Sequence, residues 1–281
     1  LKLPNLVLST ITLFISNIIV RALGFLYKIF LSKSIGEAGL GIYHIIFNFL
    51  MICLAFTTTG IPTALSCLVA KKKALNDKHN SNVLFISTLY VAFLVALIIS
   101  LFIALNANFL SIKLLKHNDL GLFILAICPA IVVITLSNVL RGYYYGIKEV
   151  AVPAIGQILE QISKIIFVFL IIMYINNKSL NCYIALLGIS VGEAVNILYI
   201  SIRLYKNSNL YNRYTINIKD FYNSSMETIK LSIPITCNRM SNILLHSISS
   251  MIVPSRLVLS GISYHKSLSM YGVISGMVMP F

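Results

Sequence analysis

The sequence predicts an all-α fold, a polytopic bundle of membrane-spanning helices. Three observations predict it: a series of apolar stretches long enough to cross a bilayer, 58% hydrophobic residues against 11% charged, and a mean hydropathy of +0.89. A spanning helix needs about 20 largely apolar residues, whereas ordinary soluble domains carry about 25% charged residues. Several stretches also hold a charged or amide residue near the middle. Such groups are costly in hydrocarbon, so they imply a polar cavity between helices, the signature of a transporter.

The expected spans are 5–31, 41–70, 83–110, 120–144, 152–174, 182–204 and 229–253, with an eighth beginning near Ser267. The first is too long for a secretory signal and lacks a small-residue cleavage site before the next span, so it is its own targeting element. It places Thr10, Asn17, Arg21, Gly24 and Lys28 on one helical face. A phosphate-sized anion fits such a face. The other reading has Lys28 snorkelling to the outer interface and Arg21 paired with a carboxylate for stability alone.

The second span carries His44, Asn48, Thr59 and Ser66, interrupted by Gly60 and Pro62. Proline removes a backbone hydrogen bond, so Gly60 and Pro62 mark a candidate hinge. In the fourth, Pro129 implies a bend, and Tyr143, Tyr144 and Tyr145 beside Arg141 and Lys148 read as an interfacial aromatic belt. The fifth sets Gln157, Glu160, Gln161 and Lys164 on one side, with Glu160 and Lys164 one turn apart as an ion pair. That pair reads either as structural glue or as a carboxylate that exchanges a proton or sodium ion for substrate. The sixth offers Ser190, Glu193 and Asn196, where Glu193 is also a candidate partner of Arg21 or Arg239. The seventh carries Arg239, Asn242, His246 and Ser249, and Arg239 lies too deep to snorkel easily. Pro254 marks either a bend or a helix end.

The segment 206–228, rich in Asn, Tyr and Ser, reads as a cytoplasmic linker between a six-helix unit, 1–205, and a second unit, 229–281. The second unit echoes the first. Lys230, Leu231 and Pro234 repeat Lys2, Leu3 and Pro4, and Tyr271 repeats Tyr43, at offsets of about 230 residues, as expected of an internal duplication. The second copy stops within its second helix and Leu1 is an unusual first residue, so the chain is expected to be part of a longer one.

A formal charge of +14 raises the question of nucleic acid, but the basic residues fall in alternate loops. Lys2, Lys71, Lys72, Lys73, Lys78, Arg141, Lys148, Arg203, Lys206, Arg213, Lys219 and Lys230 lie in the segments that are inner if the N-terminus is cytoplasmic, about twofold more than Lys33, Lys113, Lys116, Lys178, Arg256 and Lys266 in the outer ones. They orient the chain in the cell membrane, and no basic run on a soluble module suggests nucleic acid. The five cysteines lack metal spacing and read as small hydrophobes. There is no nucleotide-binding glycine loop, hydrolase triad motif or metal pattern, so neither an enzyme nor a cofactor is expected.

Three segments carry a resemblance. Ile35-Gly36-Glu37-Ala38-Gly39-Leu40-Gly41-Ile42-Tyr43 with Thr59-Gly60-Ile61-Pro62-Thr63-Ala64, then Arg141-Gly142-Tyr143-Tyr144-Tyr145-Gly146 with Gln157 to Gln161, then Tyr271-Gly272 with Ser275-Gly276-Met277 and Pro280, resemble the stage V sporulation protein B group of the multidrug, oligosaccharidyl-lipid and polysaccharide exporter superfamily. Arg21-Ala22-Leu23-Gly24-Phe25 is similar to the first helix of lipid II flippases, in which the matching arginine faces the cavity. Asn48 departs from the pattern, since a proline is expected there. The resemblance implies two six-helix lobes around a central cavity, of which this chain holds the first lobe and the start of the second. It also implies a lipid-linked cell-wall or polysaccharide precursor as substrate, flipped to the outer leaflet and serving spore envelope formation. The resemblance puts Arg21 in the cavity, and the polar stripes of the first and seventh spans add Asn17, Lys28, Arg239 and Asn242 as cavity candidates. The alternatives are a cation-coupled multidrug exporter, a nontransporting membrane scaffold and an inactive fragment.

Overall fold

The computed structural model describes residues 3–58, 60–113, 120–174, 178–206, 217–261 and 263–273. These form helices only: α1 (Leu3–Thr57), α2 (Ile61–Ala74), α3 (Lys78–Leu105), α4 (Ala107–Lys113), α5 (Gly121–Gly146), α6 (Ala151–Tyr174), α7 (Lys178–Lys206), α8 (Ile218–Leu259) and α9 (Tyr264–Val273). Five helical stretches among the described residues are long and apolar enough to cross a membrane, the first of them holding both of the first two expected spans. The protein is a multi-pass membrane protein.

Within α1 the helix is broken at one residue, Gly36, with φ 73° and ψ 176°. Glycine tolerates this left-handed region because it has no Cβ to clash. Along an unbroken helix, Lys28 and His44 would stand about 24 Å apart. Instead Tyr27 and Leu31 of the first arm share one buried apolar core with Tyr43, Ile46 and Leu50 of the second. The chain therefore turns back at Gly36, and α1 has two arms.

The second expected span is not continuous. It ends at Thr57 and restarts at Ile61, with Gly60 as N-cap and Pro62 in the first turn of α2, where proline's missing N–H costs nothing. The third expected span is likewise divided at Asn106, whose side chain donates to the Phe102 carbonyl at 2.9 Å. The eleven residues from Ile218 to Thr228, expected as the end of a linker, are helical and run without a break into the seventh span. Pro254 lies inside α8 rather than at its end.

Helix α7 packs against α5 and α6, while α2 and α3 pack against α5. In lipid no hydrophobic force drives helices together, so close approach relies on small residues and buried polar contacts. Gly142 of α5 is such a contact: a Cβ there would lie 2.7 Å from the Pro62 carbonyl oxygen. Of the three tyrosines expected at the interface, Tyr143 and Tyr144 are internal instead, and Tyr145 is partly buried. Tyr143 and Tyr144 are 8% and 2% exposed, and the Tyr143 ring sits 4.4 Å from that of Phe85. Helix α5 meets α2 and α3 here, and Leu68, Val69, Leu84 and Phe85 of those helices share one buried core with the two rings, which outweighs the interfacial preference of a tyrosine.

Helices α8 and α9 pack on the α1–α3 side. Asn48 Nδ2 lies 3.3 Å from the Tyr271 hydroxyl, Thr88 and Thr228 share a 3.1 Å hydrogen bond, and Gly60 abuts Ser232 and Thr236 of α8.

Candidate functional site

Two polar regions stand out, and they differ in kind. The first is a closed cluster where α5, α6 and α7 meet. Arg141 and Ser137 lie one turn apart on α5, Glu160 on α6, and Glu193 and Asn196 on one face of α7. Arg141 Nη2 is 2.7 Å from both carboxylate oxygens of Glu193, 3.1 Å from Glu160 Oε2 and 3.0 Å from Ser137 Oγ. Asn196 Nδ2 donates to Ser137 Oγ at 3.0 Å and lies 3.3 and 3.4 Å from Glu193 Oε2 and Glu160 Oε2. The three charged side chains are 13%, 16% and 7% exposed. Gly192 permits the α6–α7 approach, since a Cβ there would lie 2.8 Å from the Glu160 carbonyl oxygen.

This arrangement corrects three sequence expectations. Arg141 is not an interfacial loop charge but the centre of the cluster. Glu193 pairs with Arg141, not with Arg21 or Arg239. Glu160 also pairs with Arg141, and no Glu160–Lys164 ion pair forms among the described residues. Lys164 instead places its ammonium 5.1 Å from the centre of the Tyr27 ring. The physical reason is reach: the planar guanidinium serves two carboxylates from neighbouring helices at once, whereas an ammonium on the same helix serves one.

The second region is an open face on the first arm of α1. Asn17 and Arg21 are exposed, Lys28 is partly buried, and around Gly24 there is open space. Arg239 is exposed on α8, which packs against α1. The side chains of Asn242, His246 and Ser249, together with Thr59, the residues 207–216 and the motif residues from Ser275 to Pro280, lie outside the described residues. Gly60 and Pro62 stand at the α1–α2 break, pressed against α8. No group of three or more His, Cys, Asp or Glu capable of holding a metal occurs among the described residues.

Sequence reasoning missed Arg141. A signal was present, since Arg141 lies inside the expected span 120–144 and one turn after Ser137.

Comparisons with known proteins agree with this architecture. The chain is 24% identical over 275 residues to stage V sporulation protein B of Bacillus subtilis, covering 96% of this chain and 53% of that protein. It is 27% identical over 184 residues to the lipid II flippase MurJ of Bacillus subtilis, covering 61% of this chain and 34% of that one. The chain thus spans about half the length of the sporulation relative it matches. Among solved structures, a eukaryotic MATE transporter superposes with a TM-score of 0.66 at 16% identity over 98% of this chain and 70% of that one. An inward-facing multidrug resistance MATE family transporter of the MOP superfamily superposes with a TM-score of 0.64 at 15% identity, covering 92% of this chain and 60% of that one. These relatives are named as transporters, flippases or sporulation proteins rather than enzymes. The match over residues 6–279 is decisive: the chain belongs to the polysaccharide biosynthesis protein family.

Proposed function

We propose that the protein moves a lipid-linked saccharide, a precursor of cell wall or polysaccharide, from the cytoplasmic to the outer leaflet of the cell membrane, with its N-terminus cytoplasmic. The observation that carries this reading is the open face of α1, where Asn17, Arg21 and Lys28 surround the space at Gly24. The anionic phosphate group of such a lipid would be drawn to these cations and to Arg239, while its tail stays in the bilayer. A cationic, hydrated path removes the cost of carrying the headgroup through hydrocarbon. Residues 1–205 would form one lobe and 229–281 the start of its counterpart, the two rocking about the break at Gly60 and Pro62.

Cation-coupled multidrug export is the runner-up, and it calls for carboxylates available to a cationic cargo. Glu160 and Glu193 are both held by Arg141, which favours an anionic headgroup over a cationic drug. A coupling proton or sodium ion, if one is used, would be exchanged at Glu160 or Glu193, the carboxylates of the cluster.

The test is leaflet exchange of a fluorescent lipid-linked saccharide in proteoliposomes holding the product of the full open reading frame. Arg21→Ala is expected to slow exchange about tenfold or more, the loss of one charge-assisted contact. An unchanged rate would overturn the anion path. Orientation is tested separately by a cysteine at Asn76 in a background lacking the exposed Cys67 and Cys237. It should be protected from an impermeant thiol reagent in intact cells, and labelling would reverse the direction assigned to transport.

A further inference from the structure

We infer that Lys28, His44, Asn48 and Tyr271 form a second anion station, for a phosphate or diphosphate group, distinct from the Arg21 face. His44 is 8% exposed, and its Nε2 is buried without a hydrogen-bond partner among the described residues. A buried, unsatisfied ring nitrogen is costly and calls for an occupant. Lys28 is partly buried and makes no ion pair with a carboxylate among the described residues.

The turn at Gly36 brings these two together, each eight residues from it and so at the same depth, about 12 Å along its arm. Their chain neighbours Tyr27 and Tyr43 lie in one buried core, so the two arms are packed together at this depth. Asn48 follows His44 by one turn on the same face, and its amide meets the Tyr271 hydroxyl at 3.3 Å, so α9 closes the group from the other unit. The nearest acid along this arm, Glu37, stands about 10 Å away and accepts a hydrogen bond from Ser269.

The Lys28 ammonium supplies the positive charge, the imidazole can turn an N–H toward a ligand, and with no carboxylate in the group it selects an anion rather than a cation. Tetrahedral phosphate oxygens suit donors converging from three directions. The station lies seven residues from Arg21, about 10 Å nearer the Gly36 end of the arm. On the transport reading above, on which only this direction rests, it is the station reached after Arg21 on the way out.

The test uses the protein in nanodiscs with 15N-labelled histidine. There are five histidines, so His44→Gln identifies the His44 resonance by difference. Titration with inorganic diphosphate should move the His44 Nε2 resonance, and a resonance that stays fixed in both this arm and the next would overturn the inference. A second arm uses nanodiscs with and without undecaprenyl diphosphate. Movement with the lipid alone assigns the station to a headgroup, and movement with inorganic diphosphate alone assigns it to free phosphate.

Lys28→Met and His44→Leu should each weaken diphosphate binding about tenfold by calorimetry, with His44→Gln recovering most of it through its retained N–H donor. Should His44→Leu fail to insert, Lys28→Met and Asn48→Ala decide. Full binding in both would sink the station. Binding lost in Arg21→Ala but kept in Lys28→Met and His44→Leu refutes the station and leaves the transport reading intact. The reverse pattern upholds the station and removes Arg21 from the path.

Discussion

Arg21 and Arg141 are both arginines inside apolar helices, yet the protein treats them in opposite ways. Arg141 is held by two carboxylates and a hydroxyl from three helices, and the Asn196 amide donates to the same three groups. Arg21 stands on an exposed face beside an unsubstituted glycine. The difference teaches that intramembrane charge alone does not mark a transport site. What matters is whether the surroundings already supply the counter-charge: where they do, the charge holds helices together, and where they do not, the face is available to a ligand.

The strongest way to break this comparison is to remove the enclosed arginine. Arg141→Leu leaves two buried carboxylates without the guanidinium that bridges them, a loss of about 3–5 kcal/mol for a broken buried pair. The variant should accumulate poorly in the membrane and melt well below the parent in detergent. Adding Glu160→Gln and Glu193→Gln should restore much of that stability. If the single variant were as abundant and as heat-resistant as the parent, the cluster would not be glue.

Arg21→Ala should do the reverse, costing little in thermal stability while slowing leaflet exchange. Parallel thermal-shift and exchange measurements on the two arginine variants sharpen the contrast, and equal stability losses would erase it. Lys164→Met comes next in size. It removes a cation over the Tyr27 ring, and the expected stability loss is about 1 kcal/mol, visible as a shift of a few degrees at most. A loss as large as that of Arg141→Leu would mean that Lys164 belongs to the ionic cluster after all.

The smallest effect lies outside the bilayer and sets the scale for an ordinary carboxylate. Asp77 caps α3, accepting from the Asn80 N–H at 3.2 Å and from Asn80 Nδ2 at 2.6 Å. These bonds lower its pKa below the usual carboxylate value. Because the folded pKa is the lower one, the cap stabilises above the ordinary carboxylate range and is lost as pH falls through the lowered value, below about 4. Asp77→Ala should cost about 0.5 kcal/mol, the low end for loss of an N-cap. Hydrogen exchange at the amides of residues 80–84 should rise in the variant at neutral pH, and unchanged protection would discount the cap.

The bundle itself was legible because twenty apolar residues in a row have few other homes, and the membrane sets helix length to within a few residues. The tight turn at Gly36 fell where a break between spans was expected, and the interruption at Gly60 fell where Pro62 pointed to a bend. Partner choice was not legible. Glu160 had a cation one turn away on its own helix, and nothing in the sequence ranks Lys164 below an arginine nineteen residues upstream on another helix. The tyrosines after Arg141 drew it toward an interface, whereas packing of α5 among α2, α3 and α7 set its depth. Whether Glu160 and Glu193 meet depends on the closeness of α6 and α7, a three-dimensional property that Gly192 permits but does not announce.

The single-residue turn at Gly36 has a practical consequence. The two arms of α1 are joined without a loop, so an epitope inserted between them would have to open the turn itself. The arms must enter the membrane as one hairpin, and the orientation of the second is inherited from the first. Reporters of sidedness have to be placed beyond it, on the α2–α3 connection at Asn76 or later, where a tag can be added without forcing apart two helices that share one glycine.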